Sequence, residues 1–155
     1  MNTNVCSIYR GTNLPDIYRK RWQDPQTINY LLKSCNKIAI VGLSTKPERP
    51  SYQVAKYLQD NNFTIVPVNP GHKNILGCKC YKKLTDIEEK IDLVNIFRNP
   101  NKVLPVVKEA LLLPIKGIWF QFDVINLEAG KLAEKNNLKV VMDKCIKIEH
   151  EIVTK

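Results

Sequence analysis

The residues from Gly42 to Ser51 form the stretch of this sequence best suited to bind an anion. Gly42 ends an apolar run, and Ser44, Lys46 and Arg49 follow before an amphipathic segment begins at Ser51. Glycine permits a sharp turn and a close approach of the backbone to a ligand. A helix that begins here would add unpaired N–H groups and a partial positive charge, both of which favour phosphate. We therefore predict a phosphate-binding turn between a strand and a helix, rather than a set of solvated surface charges.

Strands that alternate with helices would position this turn. Apolar runs predict five strands, over residues 37–41, 63–68, 91–97, 115–122 and 138–142. Amphipathic stretches predict helices over residues 51–61, 99–112 and 126–136, and Asp24-Pro25 would open an earlier helix. This alternation is typical of βαβ units. The predicted fold class is α/β, a three-layer Rossmann-like fold with a mostly parallel five-stranded sheet and helices on both faces.

The carboxyl ends of the predicted strands would lie at one edge of the sheet. Ligands of such folds bind at this edge, near the switch in strand order. The turns that meet there are at residues 42–49, 69–73, 97–99, 121–123 and 143–145. Binding residues are therefore expected in these turns.

The first two turns limit the class of nucleotide. A dinucleotide site would have Gly-x-Gly-x-x-Gly in the first turn and an acidic residue after the second strand. Here the first turn has one glycine, and the second strand ends at Asn69-Pro70, with His72 and Lys73 just beyond. The Gly-Lys-Ser/Thr ending of a P-loop is also absent. The pattern points away from NAD and is compatible with a nucleotide whose ribose carries a phosphate, such as NADP or coenzyme A.

Several motifs follow one another in a single register between Trp22 and His150. They are Ile40-Val41-Gly42-Leu43-Ser44, Lys46 to Tyr52, Val66 to Gly71, Ile75-Leu76-Gly77, Asp92-Leu93-Val94 with Phe97-Arg98, Trp119-Phe120-Gln121, and Val141 to His150. In this combination the chain resembles the single-domain family of CoA-binding proteins. Its fold is also similar to the CoA-binding domain of the succinyl-CoA synthetase alpha subunit.

The resemblance implies that coenzyme A, or an acyl-CoA, is bound across the carboxyl edge of the sheet. The first turn would hold the phosphates, and the other turns would border the nucleotide and close the far side. One departure is Asp123, where the family commonly has a glycine. Its carboxylate would need a cation such as Lys144 or Arg98 if it lay near the phosphates. The residues that match the family's binding positions are Gly42, Leu43, Ser44, Lys46, Arg49, Ser51, Asn69, Pro70, Phe97, Arg98, Gln121, Lys144 and Cys145.

Catalysis is not indicated, because no paired carboxylates, catalytic triad or metal-binding set converges on the predicted site. Cys145 is interpreted first as a packing residue and second as a thiol able to form a disulfide with CoA, since His150 is not favoured as its activating base. His72, Cys78 and Cys80 lack the spacing of a zinc site. The predicted function is CoA binding without catalysis. Two alternatives remain open: a subunit or remnant of an acyl-CoA ligase-type enzyme, and an NADP-binding regulatory domain.

Composition limits the domain organisation and the location. The 155 residues suit one domain, predicted over residues 22–155, after a flexible basic arm over residues 1–21. No apolar run approaches the roughly 18 residues of a membrane span. Five cysteines without framework spacing favour a reducing compartment, and a cytoplasmic location is expected. Import into an organelle by the basic arm is the lesser alternative.

The net charge of +9 favours an anionic partner, here a small molecule. The basic patch in the arm is too short to indicate a nucleic-acid or membrane surface. A homodimer is expected from the fold family alone.

Overall fold

The computed structural model describes residues 12–155 of the chain. Its strands along the chain are β1 (Lys37–Val41), β2 (Thr64–Val68), β3 (Asn74–Ile75), β4 (Cys78–Lys79), β5 (Leu93–Ile96), β6 (Gly117–Phe120) and β7 (Lys139–Met142). Five of them form a parallel sheet in the order β2-β1-β5-β6-β7, and β3 and β4 form a short antiparallel hairpin. The predicted parallel α/β sheet is confirmed.

Helices cover both faces of this sheet. They are α1 (Asp16–Trp22), α2 (Pro25–Ser34), α3 (Pro50–Asp60), α4 (Val103–Ala110), α5 (Leu127–Lys135) and α6 (Ile146–Val153), with 3₁₀ turns at Leu84–Asp86 and Pro100–Lys102. One core cluster joins the sheet to α1, α4 and α5, and the other joins it to α2, α3 and α6. The three predicted layers are therefore present. Within residues 12–155 no helix is long and apolar enough to cross a membrane.

The central strand β1 shows why continuous apolar runs predicted this sheet. Ile38 and Ile40 pack into the cluster with α2, α3 and α6, while Ala39 and Val41 pack into the cluster on the opposite face. A parallel strand with helices on both sides is buried on both faces and needs apolar residues at successive positions. The predicted bounds of β1 are confirmed.

Two helix starts predicted from capping residues are also confirmed. The Asp24 side chain accepts from the N–H groups of Gln26 and Thr27 at the start of α2. The Asn126 side chain accepts from the N–H of Ala129, at 2.9 Å, at the start of α5. Each side chain satisfies backbone donors that a helix leaves unpaired in its first turn.

Other bounds differ from the prediction. β5 and β6 are shorter than the predicted strands over residues 91–97 and 115–122. α4 begins at Val103, after a 3₁₀ turn, and so places Pro105 in its first turn, where a missing N–H is tolerated. The helices α1 and α6 and the β3–β4 hairpin were not predicted.

The N-terminal segment contacts the fold over its described residues. Trp22 in α1 is 1% exposed, and its indole Nε1 donates to Oε2 of Glu134 at 3.1 Å. Leu14 is buried as well, and the Thr12 hydroxyl donates to Oδ2 of Asp143 at 2.5 Å. The flexible arm expected over residues 1–21 is therefore not separate from the fold beyond Thr12. Residues 1–11 of that arm lie outside the described residues.

β2 is an edge strand, and its outer side carries a proline. Val68 faces β1, since its C=O accepts from the N–H of Gly42 at 2.9 Å. The preceding Pro67 faces outward, where its C=O accepts from the N–H of Tyr81 at 3.0 Å. The N–H of Asn69 donates to the C=O of Tyr81 at 2.9 Å. These bonds fix the segment after β4 beside the carboxyl end of β2.

Candidate functional site

The strand order reverses between β1 and β5. The chain runs from β1 to β2 on one side and then crosses to β5 on the other. A crevice opens at the carboxyl ends of strands where the order reverses in this way. Gly42 follows β1 with a φ of +84°, and Phe97 follows β5, with its N–H donating to the C=O of Val41 at 2.8 Å. The backbones of these two residues therefore form the base of the crevice.

Hydrogen bonds within the first turn fix its shape. The N–H of Ser44 donates to the hydroxyl of Ser51 at 3.0 Å, and the N–H of Lys46 donates to the hydroxyl of Ser44 at 3.1 Å. The N–H of Arg49 donates to the C=O of Lys46 at 3.0 Å. The turn is thus held in place by its own serines before any ligand is bound.

The turn leads into the N-terminus of α3. Arg49 is the N-cap residue, no side chain caps the helix, and Pro50 occupies its first position. A helix start of this kind carries about half an elementary positive charge and unpaired N–H groups. The Lys46 and Arg49 side chains, both exposed, add two full charges. A depression of about 300 Å³ opens here, lined by Gly42, Ser44, Lys46, Arg49, Pro50, Ser51 and Phe97.

Asn69 joins the second turn to the first. Its Nδ2 donates to the C=O of Leu43 at 2.9 Å, and its Oδ1 accepts from the N–H of Gly71 at 2.9 Å. The Leu43 side chain is buried in the core, so only its backbone is available at the turn. Pro70, next along the chain, lines a separate, smaller cavity together with Arg98.

Three predicted binding residues on the far side hold β6 against the start of α6. Gln121 is buried, and its Oε1 accepts from the N–H of Ile146 at 2.9 Å. The indole of Trp119 donates to the C=O of Lys144 at 2.8 Å. Cys145 is the N-cap residue of α6. Gln121, Lys144 and Cys145 line neither of the two cavities described above.

The corner after β6 explains the departure at Asp123. Asp123 has a φ of +68°, a left-handed conformation that glycine adopts without steric cost. Its N–H donates to Oδ1 of Asp143 at 2.7 Å. The buried carboxylate of this corner is therefore that of Asp143, while Asp123 is exposed.

His150 is bonded within the helical layer. Its Nδ1 lies 2.7 Å from the Tyr57 hydroxyl, and its ring packs edge-on against Phe63 with centroids 5.2 Å apart. Burial lowers the pKa of His150, although the Glu151 carboxylate acts in the opposite direction. Among residues 12–155 no cluster of three histidine, cysteine or acidic side chains could hold a metal ion.

Two cations were missed by the sequence analysis. Lys82 and Lys83 line the smaller cavity, of about 130 Å³, beside Pro70 and Arg98. The available signal was their adjacency in the segment after β2. That signal is weak, because a pair of lysines in a loop is usually a solvated surface feature.

Comparison with known proteins identifies the family. A model described as a CoA binding domain matches residues 36–151. The chain is 37% identical over 125 residues to an uncharacterized protein of Bacillus subtilis, YneT, which covers 81% of this chain and 93% of that protein. It is 35% identical over 120 residues to the ADP-forming acetate–CoA ligase of Methanocaldococcus jannaschii, which covers 72% of this chain but 17% of the ligase.

A solved structure gives the same relationship. A hypothetical protein from Pyrococcus horikoshii superimposes with a TM-score of 0.82 at 37% identity, over 84% of this chain and 92% of that one. The motifs that follow one another along the sequence, the Rossmann-like sheet and the matched family model all agree. The chain is therefore a member of the CoA-binding domain family.

Proposed function

We propose that this protein binds coenzyme A or an acyl-CoA, with the diphosphate on the turn from Gly42 to Ser51. The observation that carries the proposal is the uncapped N-terminus of α3, which opens on the depression lined by Lys46 and Arg49. Phosphate oxygens would accept from backbone N–H groups that have no intrahelical partner. The family description as a CoA binding domain supports this ligand among phosphate-bearing nucleotides.

The charges at the turn are large enough to matter for affinity. Charge-assisted hydrogen bonds contribute about 1.5–3 kcal/mol each, roughly twice the value for neutral pairs. Both cationic side chains are exposed, so their attraction to the diphosphate is screened and should weaken with ionic strength. The serine hydroxyls that fix the turn reduce the ordering required when the ligand binds.

Binding without catalysis is the favoured form of this proposal. The depression is lined by two glycine or proline residues, two serines, two cations and Phe97, with no acid–base pair. A second candidate is a CoA site that serves an acyl-CoA ligase, as the similarity to part of an acetate–CoA ligase suggests. Formation of acyl-CoA from CoA, a carboxylic acid and a nucleoside triphosphate by the purified chain would favour that candidate.

The cytoplasmic location and the homodimer remain part of the proposal. The odd number of cysteines, five in the full chain, suits a reducing compartment. Sedimentation equilibrium with and without CoA measures the number of subunits directly.

Calorimetric titration tests the proposal. The protein is titrated with CoA, NADP and ATP, after native mass spectrometry has identified any nucleotide that co-purifies. We expect selective CoA binding, and we expect the double variant Lys46→Gln, Arg49→Gln to weaken it by about tenfold or more. The matched control is Lys33→Gln, Lys135→Gln, which removes the same charge from the last turns of α2 and α5.

These control lysines lie at the amino edge of the sheet, because α2 and α5 end just before β1 and β7 begin. The control should therefore bind CoA as the parent protein does. A folded parent protein that does not bind CoA, or equal losses in the two double variants, would contradict the proposal.

A further inference from the structure

The smaller cavity lies at the same edge of the sheet as the α3 depression, but on the other face. Its apolar lining includes Val41, Val68 and Leu84, which belong to the core cluster of α1, α4 and α5. The apolar side chains of α3 belong to the opposite cluster. The two cavities therefore flank the ends of β1 and β2 from above and below the sheet.

Arg98 connects the two cavities. It lines the smaller one, and its Cδ lies 3.2 Å from the position that a β-carbon on Gly42 would occupy. Gly42 lines the α3 depression, and the preceding Val41 lines the smaller cavity. A single extended ligand that crosses the edge at Gly42 can thus reach both.

The polar lining of the smaller cavity is predominantly cationic. Lys82, Lys83 and Arg98 contribute three positive charges, and Glu109 contributes one negative charge. The Glu109 carboxylate already accepts from the N–H of Leu84 at 3.1 Å, which fixes the turn that follows the two lysines. Among the described residues, the ion pairs within 4.0 Å are formed by other side chains.

The size of the cavity limits what it can hold. Its volume of about 130 Å³ is equal to about four waters at roughly 30 Å³ each. Sites for whole small-molecule ligands occupy about 300–1,000 Å³. The cavity therefore fits one compact anionic group and is too small for a nucleoside.

We propose that the cavity of Lys82, Lys83 and Arg98 binds a phosphate monoester on the ribose of the ligand, separate from the diphosphate at α3. This inference rests on the proposed function, and it specifies CoA with its ribose phosphate rather than dephospho-CoA. The sequence alone suggested His72 and Lys73 for this role. Both are exposed in the turn after β2, and neither lines the cavity.

The test compares CoA with dephospho-CoA, which differs only in lacking the ribose phosphate. We expect the parent protein to bind CoA about tenfold or more tightly at low salt, since a phosphate monoester would gain charge-assisted bonds here. The variant Lys82→Gln, Lys83→Gln should reduce CoA affinity toward that of dephospho-CoA and leave dephospho-CoA affinity unchanged. Lys73→Gln and the charge-matched Lys33→Gln, Lys135→Gln should retain the discrimination.

The outcomes separate this inference from the proposed function. Equal binding of CoA and dephospho-CoA would overturn the inference and leave CoA binding in place. Absence of binding by both would overturn the two together. A preference for NADP over NAD that is lost in Lys82→Gln, Lys83→Gln, with weaker CoA binding, would keep the monoester site and overturn CoA as the ligand.

Discussion

The backbone of Gly42 packs directly against the carbonyl group of Phe97. A β-carbon built on Gly42 would lie 2.0 Å from that carbonyl oxygen, closer than any real contact allows. This proximity joins the ends of β1 and β5 at the point where the strand order reverses. The residue that makes the close approach to the ligand is thus also the residue that lets two neighbouring strands end side by side.

Gly42→Ala should lower the free energy of unfolding by several kcal/mol and abolish CoA binding. A left-handed conformation alone costs an alanine about 1–2 kcal/mol, and the contact with Phe97 adds to that cost. Gly77→Ala is the matched control, because Gly77 has a φ of +74° with nothing within 4 Å of its added β-carbon. Urea unfolding of the two variants measures the difference. Equal losses would mean that the Phe97 contact is relieved without cost.

Asp123→Gly should stabilise the protein by about 1 kcal/mol, because Asp123 occupies the left-handed region. Its exposed carboxylate is also removed from the carboxyl edge, so CoA affinity should rise modestly. Asp123→Asn separates the two effects, since asparagine keeps a side chain but carries no charge. Thermal unfolding and calorimetry of both variants provide the measurements. A loss of CoA affinity in both variants would show that this carboxylate assists binding.

Asp143→Ala should destabilise the protein by at least about 2 kcal/mol. It removes the acceptors for the Thr12 hydroxyl and the N–H of Asp123, and it places alanine at a φ of +61°. Asp143→Asn should cost less, because asparagine tolerates this conformation and can bond to both partners. Urea midpoints of the two variants test this order. The reverse order would show that the negative charge, rather than the hydrogen bonding, stabilises the corner.

Asn95→Val should raise the free energy of unfolding by about 1–2 kcal/mol. Asn95 lies in β5 between Ile40 and Trp119, is fully buried, and has no hydrogen-bond partner for its amide among the described residues. A buried polar group without a partner costs about 1–3 kcal/mol, and valine suits a buried strand. Calorimetric melting measures the gain. Destabilisation by Asn95→Val would indicate that the amide is satisfied in solution.

Protonation of His150 should destabilise the fold as the pH falls below about 6.5. Burial lowers the pKa of His150 in the folded state, so the unfolded chain binds the proton more readily. Stability is then greatest above the ordinary value and is lost as the pH falls through it toward the folded value. Protonation also removes the Nδ1 acceptor that faces the Tyr57 hydroxyl.

His150→Gln should therefore flatten the dependence of the urea midpoint on pH between about 8 and 5.5. The other histidine, His72, is exposed, and His72→Gln should leave the dependence as in the parent protein. A slope that persists in His150→Gln would assign it to carboxylates instead.

The parts of the fold that the sequence predicted are those determined by local patterns. β1 could be placed because a strand buried on both faces is continuously apolar, and the first turn because Gly42 and two cations adjoin it. α6 could not be placed, since Ile146–Val153 alternates apolar and polar residues in the manner of a strand. It is helical in the structure, where Gln121 accepts from the N–H of Ile146 and the Ile146 side chain is buried.

The helix α1 shows the same limit. Its sequence has few apolar residues, and its placement depends on Trp22, which packs over Gly130 of α5: a β-carbon there would lie 2.6 Å from the indole. Such a contact joins residues far apart in the chain and has no local signal. The smaller cavity was missed for a similar reason, because Lys82 and Lys83 meet Arg98 only after the strands are ordered.

Pro67 has a consequence for how the protein behaves when crowded. An exposed strand edge can pair with another chain through its free N–H and C=O groups, which promotes aggregation. On the outer side of β2, Pro67 has no N–H to offer, and its C=O and the N–H of Asn69 are already bonded to Tyr81. The strand that borders the nucleotide turn is thereby a poor template for a β-strand from a second molecule. Association of two copies at this side would have to proceed through side chains rather than through extension of the sheet.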